Sequence, residues 1–125
     1  MSYEDKSGRQ TFSFPATTIG GADVQYAIKP PAGRRARVVA VNASVSTVIV
    51  GSPTVRVGKT GALTQYATLS LGTNAAVLTA YSTETRNRNA TTGIEETPAV
   101  DETLLVSVGT GTSGAVVPSV TVDFY

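Results

Sequence analysis

The hydrophobic positions of this chain recur mainly with the period of two that is typical of β-strands. The clearest stretch is residues 35–50, RARVVAVNASVSTVIV, where β-branched residues recur after a Pro-Pro-Ala-Gly turn signal. Its apolar face comprises Val39, Val41, Ala43 and Val45. The alternation blurs near Thr47, which indicates a bulge or a passage between two sheets. We therefore expect one long, half-buried strand against which the other strands pair or pack.

Further segments with the same period are predicted as strands at residues 11–14, 23–29, 54–57, 62–71, 75–81, 102–108 and 115–125. Their predicted inward residues include Val55, Val57, Leu104, Val106, Val108, Val120, Val122 and Phe124. Pro118 lacks a backbone N–H and therefore predicts a bulge or an edge at its position.

Segments rich in Gly or Pro separate these strands and predict turns at residues 51–53 and 58–61 and a hairpin loop at residues 109–114. Residues 82–100 form the longest polar segment and are predicted as a loop. The whole pattern predicts an all-β fold, a two-sheet antiparallel sandwich, jelly-roll-like, with about seven or eight strands. A closed barrel is the alternative arrangement.

The length of 125 residues suits a single domain with its own core. We assign residues 11–125 to one β-sandwich domain. Residues 1–10, MSYEDKSGRQ, mix charges with Ser and Gly and are predicted as a flexible N-terminal arm. The functional alternative is an arm that orders against a partner, with Tyr3 as its anchor.

The composition argues against several classes of function. The chain has no His and no Cys, so it lacks the commonest general base, the commonest transition-metal ligand and any disulfide. Charged residues make up 15% of the chain and its net charge is +1, which does not suit a protein that binds phosphate backbones. No apolar run is long enough to cross a bilayer. We expect a non-enzymatic protein made in the cytoplasm, with no cofactor, nucleic acid or membrane as partner.

One short motif resembles the end of a phosphate-binding loop, namely Val57-Gly58-Lys59-Thr60. That motif needs a glycine five positions before Gly58 and a helix after it. Position 53 is Pro53, and residues 62–71 are predicted as a strand. An ordinary hairpin turn is therefore the favoured interpretation.

The only acidic cluster comprises Glu95, Glu96, Asp101 and Glu102. Paired carboxylates serve hydrolases and calcium sites, but the Asp and Asn spacing of a calcium loop is missing around them. A solvated loop is the favoured interpretation of this cluster.

Two groups of arginines are candidates for binding a protein partner. Arg34, Arg35 and Arg37 precede or begin the long strand, whereas Arg86 and Arg88 lie in the long loop. The simpler interpretation is solvated basic spots, and the functional one is guanidinium groups that bind carboxylates of a partner. Tyr3, Tyr66, Tyr81 and Tyr125 are predicted to point outward and Tyr26 inward. The candidate partner-binding residues are Tyr3, Arg9, Arg34, Arg35, Arg86, Arg88, Asn89 and Tyr125.

From residue 11 onward the layout resembles the small β-sandwich head decoration, or cement, proteins of tailed bacteriophages. The features that carry the resemblance are the short opening strand, the Pro-Pro-Ala-Gly entry into RARVVAVNASV and the closing ETLLVSVGTGTSGAVVPSVTVDFY. The resemblance implies a structural protein of the virion, often a homotrimer, that binds the outer capsid surface. There it would clamp neighbouring subunits of the major capsid protein. Residues 1–10 and the loop at residues 86–92 are the expected contact regions.

Two other classes of function stay open. A carbohydrate- or receptor-binding module is the other common use of a small sandwich, although it normally needs an exposed aromatic platform or a calcium site. A self-assembling coat protein is the third possibility. An enzyme is the least favoured class, because no acid and base pair is evident.

Overall fold

The computed structural model shows an all-β molecule and describes residues 8–19, 24–72, 75–83, 87–88 and 91–125. The strands are β1 (Gly8–Ser13), β2 (Thr17–Thr18), β3 (Val24–Ile28), β4 (Ala36–Lys59), β5 (Ala62–Ser70), β6 (Ala80–Thr83) and β7 (Leu104–Phe124). Together they form one antiparallel sheet that is curled. The described part of the chain has no helix that could cross a membrane. The predicted all-β, antiparallel class is confirmed, whereas the division into two sheets and the jelly-roll connectivity stay predictions.

Two long strands form the centre of the sheet. β4 has 24 residues and β7 has 21, and they pair from Ala36 opposite Phe124 to Gly58 opposite Leu105. We call this pair of strands the ribbon and the part that begins with Ala36 and Phe124 its first half. In the first half, β6 pairs with β4 while β1 and β2 pair with β7. In the second half, β5 pairs with β4 and β3 pairs with β7. The long strand predicted near residues 35–50 is therefore confirmed, and it continues further than expected.

A series of bulges separates the two halves of the ribbon. The pairing of β4 with β7 shifts between Val45 and Thr47 and again at several points up to Thr54, so the bulge predicted near Thr47 is confirmed. The predictions of a turn at residues 51–53 and of a hairpin loop at residues 109–114 are wrong, because both segments lie within strands. Gly51 lies opposite Gly111, so the register shifts coincide with glycine in both strands, and we call this part of the paired strands the bend.

Contacts between the two halves accompany the curl of the sheet. Phe14, which follows β1 in the first half, stacks on Tyr26 of β3 in the second half with ring centroids 4.7 Å apart. The hydroxyl of Tyr26 also lies 2.7 Å from that of Thr17. The Ile19 N–H donates a hydrogen bond of 2.8 Å to the Gly114 carbonyl near the bend.

The core is a single cluster of buried side chains drawn from both halves. The predicted inward residues Val55, Val57, Leu104, Val106, Val108, Val120, Val122 and Phe124 are all buried. Val39 is only half-buried, because the bulge between Val38 and Ala40 turns Val38 inward instead. Tyr26 packs against the cluster as predicted, and Tyr81 does so although it was predicted to point outward.

Two boundaries differ from the sequence prediction. β1 begins at Gly8, so residues 8–10 of the predicted arm belong to the sheet, where they pair with residues 122–124; residues 1–7 lie outside the described residues. The strand predicted at residues 75–81 is shorter, because β6 begins at Ala80. Residues 75–79 instead form a turn in which Leu78 has a φ of 72°.

Pro118 lies where the strands beside β7 are interrupted. Its carbonyl accepts a 3.0 Å hydrogen bond from the Phe14 N–H, and residues 14–16 separate β1 from β2. In a strand the N and the carbonyl of one residue point to the same side, so the missing donor of Pro118 faces this interruption. The predicted irregularity at Pro118 is thus confirmed.

Candidate functional site

A row of three charged side chains crosses the outer face of the first half. Arg9 of β1 and Arg37 of β4 both lie opposite Asp123 of β7. Arg9 donates from Nε and Nη2 to the two carboxylate oxygens of Asp123, at 2.8 Å and 3.1 Å. The Arg9 side chain is still 62% exposed, so a partner can reach its oriented guanidinium.

The next row contains Arg35 and Tyr125. Their backbones exchange hydrogen bonds of 2.7 Å and 2.9 Å, which continue the pairing of β4 with β7. The guanidinium of Arg35 lies 5.9 Å from the centre of the Tyr125 ring, and its Nε donates to the Pro98 carbonyl at 3.1 Å. Tyr125 is 49% exposed, which agrees with its predicted outward position.

The acidic cluster attaches the loop at residues 87–102 to the sheet. Glu95 accepts a 2.9 Å hydrogen bond from Arg37, and Asp101 accepts one of 2.6 Å from the Gly33 N–H. The hydrogen bond and the charge of Glu95 raise the pKa of Arg37 above its ordinary value. Glu96 accepts from Gln65, and Glu102 accepts from the Tyr66 hydroxyl. The favoured prediction of a solvated acidic loop therefore holds for Asp101, which is exposed, but not for Glu95, Glu96 and Glu102, which are partly buried.

Of the two remaining described candidates, Arg88 lies near the start of this loop and Arg34 contacts its end. Arg88 pairs with Glu95 through its backbone, is exposed, and donates from Nη1 to the Gly93 carbonyl at 3.0 Å. Arg34 is exposed, and its carbonyl accepts a 2.9 Å hydrogen bond from the Asp101 N–H. Asp123 thus connects Arg9 with Arg37, and Glu95 connects Arg37 with Arg88. We call the following set the arginine surface: Arg9, Arg34, Arg35, Arg37, Arg88 and Tyr125.

The arginine surface therefore brings together most of the candidates chosen from the sequence. Tyr3, Arg86 and Asn89 lie outside the described residues. Asp123 and Glu95, which orient the guanidinium groups, were not among the candidates, because only the strand register and the loop path place them there. The exposed side chains of Ile94 and Val100 lie on the same loop. Arginine, tyrosine and scattered apolar side chains are the composition of protein interfaces.

The hydroxyl of Tyr66 carries the most perturbed ionisation in this region. Tyr66 was predicted to point outward, but it is 3% exposed because the loop at residues 87–102 covers it: the Asn87 N–H donates to the Tyr66 carbonyl and the hydroxyl donates to Glu102. Burial, followed by the hydrogen bond and charge of Glu102, raises the pKa of Tyr66 above its ordinary value. The protonated Tyr66 hydroxyl therefore contributes its full stabilisation of the fold below about pH 10. This stabilisation is lost as the pH rises through the raised pKa.

We expect Tyr66→Phe to lower the free energy of unfolding by about 1–2 kcal/mol near neutral pH, because Glu102 loses its donor. The difference should shrink above about pH 10, where only the unfolded wild-type chain ionises this phenol. Absorbance at 295 nm gives the check. Folded wild type and variant should titrate alike up to about pH 11, whereas in denaturant the wild type should show one additional ionising tyrosine. A difference between the two folded titrations in this range would contradict the assignment.

A shallow groove of about 360 Å³ lies on the outer face of the first half. Its lining side chains are small or polar and comprise Ser13, Asn42, Ala43, Ser44, Ala80, Tyr81, Ser82, Val117 and Ser119. Hydroxyl and amide groups can donate to and accept from a neutral polar ligand. Across the described residues, no group of three or more His, Cys, Asp or Glu side chains is arranged to hold a metal ion.

Comparison with known proteins leaves this geometry as the main guide to function. No family model, no curated protein and no solved structure matches the chain.

Proposed function

We propose that this chain is a capsid decoration protein, a structural protein that binds the outer surface of a tailed bacteriophage head. The arginine surface is the observation that supports this proposal most directly. Its guanidinium groups come from β1, from β4 and the two residues before it, and from the loop at residues 87–102, and Asp123 and Glu95 hold two of them in place. Oriented guanidinium groups suit carboxylates on a partner, here the major capsid protein.

A preformed sheet is well suited to this role, because it loses little conformational freedom when it binds. We propose that the curled sheet acts as a two-layered, jelly-roll-like sandwich and that the protein is a homotrimer in the virion. Several copies of one oligomer would contact the shell together, so that a modest affinity per copy is multiplied by the effective concentration. Each copy would clamp neighbouring capsid subunits against the pressure of packaged DNA.

The test is co-sedimentation with heads assembled from the major capsid protein of the phage that encodes this chain. We expect Arg9→Gln combined with Arg88→Gln to weaken binding at least about tenfold, since exposed arginines are frequent hot spots. Binding should also weaken as salt is raised, because exposed charges are screened. The matched control is Lys29→Gln combined with Lys59→Gln, which removes the same charge outside the arginine surface. Equal binding by both double variants would refute the proposal.

The groove on the first half supports a second candidate function, a carbohydrate- or receptor-binding module. Hydroxyls of Ser13, Ser82 and Ser119 and the amide of Asn42 line it beside Tyr81, and its volume is within the range of small-molecule sites. Strong hits on a glycan array, lost in an Asn42→Ala variant, would favour this function over capsid decoration.

A further inference from the structure

The charged residues of this chain are segregated. Residues 38–55, 60–83 and 103–122 contain no Asp, Glu, Lys or Arg. The pairing of β4 with β7 places the arginine surface at the start of the first half, beside Ala36 and Phe124. The bend lies at the other end of that half, beyond Val45 and Val116, and all the strand segments around it are uncharged.

Apolar side chains are exposed at this uncharged bend. Their exposed fractions are 48% for Val48, 40% for Val50, 48% for Val77 and 85% for Leu78. The Ile49 N–H donates to the Ala75 carbonyl at 3.2 Å, and the Leu78 N–H donates to the Val45 carbonyl at 2.8 Å. These hydrogen bonds hold the two segments side by side. We call Val48, Val50, Val77 and Leu78 the bend patch.

Leu78 has an unfavourable position in the isolated chain for two independent reasons. Its φ of 72° lies in the left-handed region, where a glycine or an asparagine is accommodated more easily than a leucine. Its side chain is also the most exposed of the large apolar residues described. A strained backbone that presents an apolar side chain to water indicates a contact surface.

We propose that the bend patch binds a second copy of this chain. A charged partner surface would lose its hydration on this patch without finding any opposite charge, which costs affinity. A second copy brings an equally uncharged surface, so no charge is buried. The exposed hydroxyls around the patch, on Ser46, Thr47, Ser52 and Ser113, both donate and accept hydrogen bonds. Two identical rims of this kind are therefore complementary to each other.

This inference rests on the proposed function only in that oligomers bind a capsid more strongly through several arginine surfaces at once. The arrangement leaves the two surfaces with separate roles, because the bend patch and the arginine surface lie at opposite ends of the first half. Self-association through the bend patch needs no capsid, so it can be measured on the purified chain.

The test is sedimentation velocity of the full chain and of a Leu78→Asn variant over a range of concentrations. Asparagine tolerates the left-handed region, so the variant should unfold at the same or a higher denaturant concentration than the wild type. We expect the wild type to form oligomers and the variant to dissociate at roughly tenfold to a hundredfold higher concentration, as expected for one lost leucine contact. Oligomers of the wild type should persist from about 0.05 M to about 0.5 M salt, since no exposed charges hold them.

Ile94→Asn is the matched control, because Ile94 is 67% exposed but lies on the charged loop. This variant, and the Arg9→Gln and Arg88→Gln double variant, should self-associate like the wild type. A wild-type chain that stays monomeric up to about 1 mM would overturn the proposal. So would oligomers that Leu78→Asn leaves intact or that Ile94→Asn weakens equally. Wild-type oligomers that do not bind the capsid would count against the proposed function alone.

Discussion

Gly114→Ala will lower the free energy of unfolding by at least about 2 kcal/mol. Gly114 has a φ of 107°, and a Cβ at this position would lie 2.5 Å from the Val48 carbonyl oxygen and 2.6 Å from the Ile49 Cα. Both neighbours are backbone atoms of β4, so the ribbon has to open at the bend to admit the methyl group. Chemical denaturation monitored by circular dichroism gives the measurement.

The matched control for this change is Gly93→Ala. Gly93 also has a positive φ, of 71°, but a Cβ on Gly93 would meet no atom within 4 Å, so only the backbone preference is lost. That loss should be about 1 kcal/mol. The difference between the two variants measures the close approach of β7 to β4. Equal losses would mean that this approach contributes nothing to the bend.

Alternation of side chains predicted the fold class because each strand buries one face. In β7, Leu104, Val106 and Val108 and later Val120 and Val122 are buried as expected. The same pattern could not show that these two runs belong to one strand. A segment such as GTGTSG permits either a hairpin or a bulged continuation, and the choice depends on the strand beside it. Here β4 runs alongside with its own irregularities at residues 47–54, so β7 continues.

The candidate site was predictable in its residue types but not in its arrangement. Arg34, Arg35 and Arg37 stood out because they precede or begin the strand expected to be central. Nothing in the sequence connected them with Arg9 or Arg88. Arg9 is brought close by its strand register opposite Asp123, and Arg88 by the path of the loop at residues 87–102. Glu95, Glu96 and Glu102 were misjudged for the same reason, because a carboxylate is solvated or bound according to the donor that folding brings to it.

The uncharged segments were visible in the sequence, but the bend patch was not. Val48 and Val50 lie on the face of β4 that Asn42 and Ser44 also occupy, with Ile49 buried between them, but nothing in the sequence placed them beside residues 77–78. Leu78 lies in the Ala-rich segment 75–81, which fits neither the helix period nor the strand period. Its exposure follows from a backbone conformation that leucine rarely adopts.

Gly58→Ala should be still more destabilising, by at least about 3 kcal/mol, a large part of the stability of a domain of this size. A Cβ on Gly58 would lie 2.2 Å from the Ala62 carbonyl oxygen and 2.3 Å from the Leu63 carbonyl carbon. Gly58 is buried at the register shift between β4 and β5, so the two backbones must separate. Gly72→Ala is the control, because the nearest atom to its Cβ would be the Tyr81 hydroxyl oxygen, at the far end of a side chain and not on the backbone.

The damage should extend from this hairpin to the arginine surface. β5 holds the loop at residues 87–102 through the hydrogen bond from the Asn87 N–H to the Tyr66 carbonyl, and this loop supplies Glu95 to Arg37. Hydrogen exchange under native conditions should therefore show faster exchange of the Asn87 and Glu96 amides in Gly58→Ala, together with weaker capsid binding. Unchanged protection of these amides would mean that the loop keeps its place without β5, and that the arginine surface does not depend on β5.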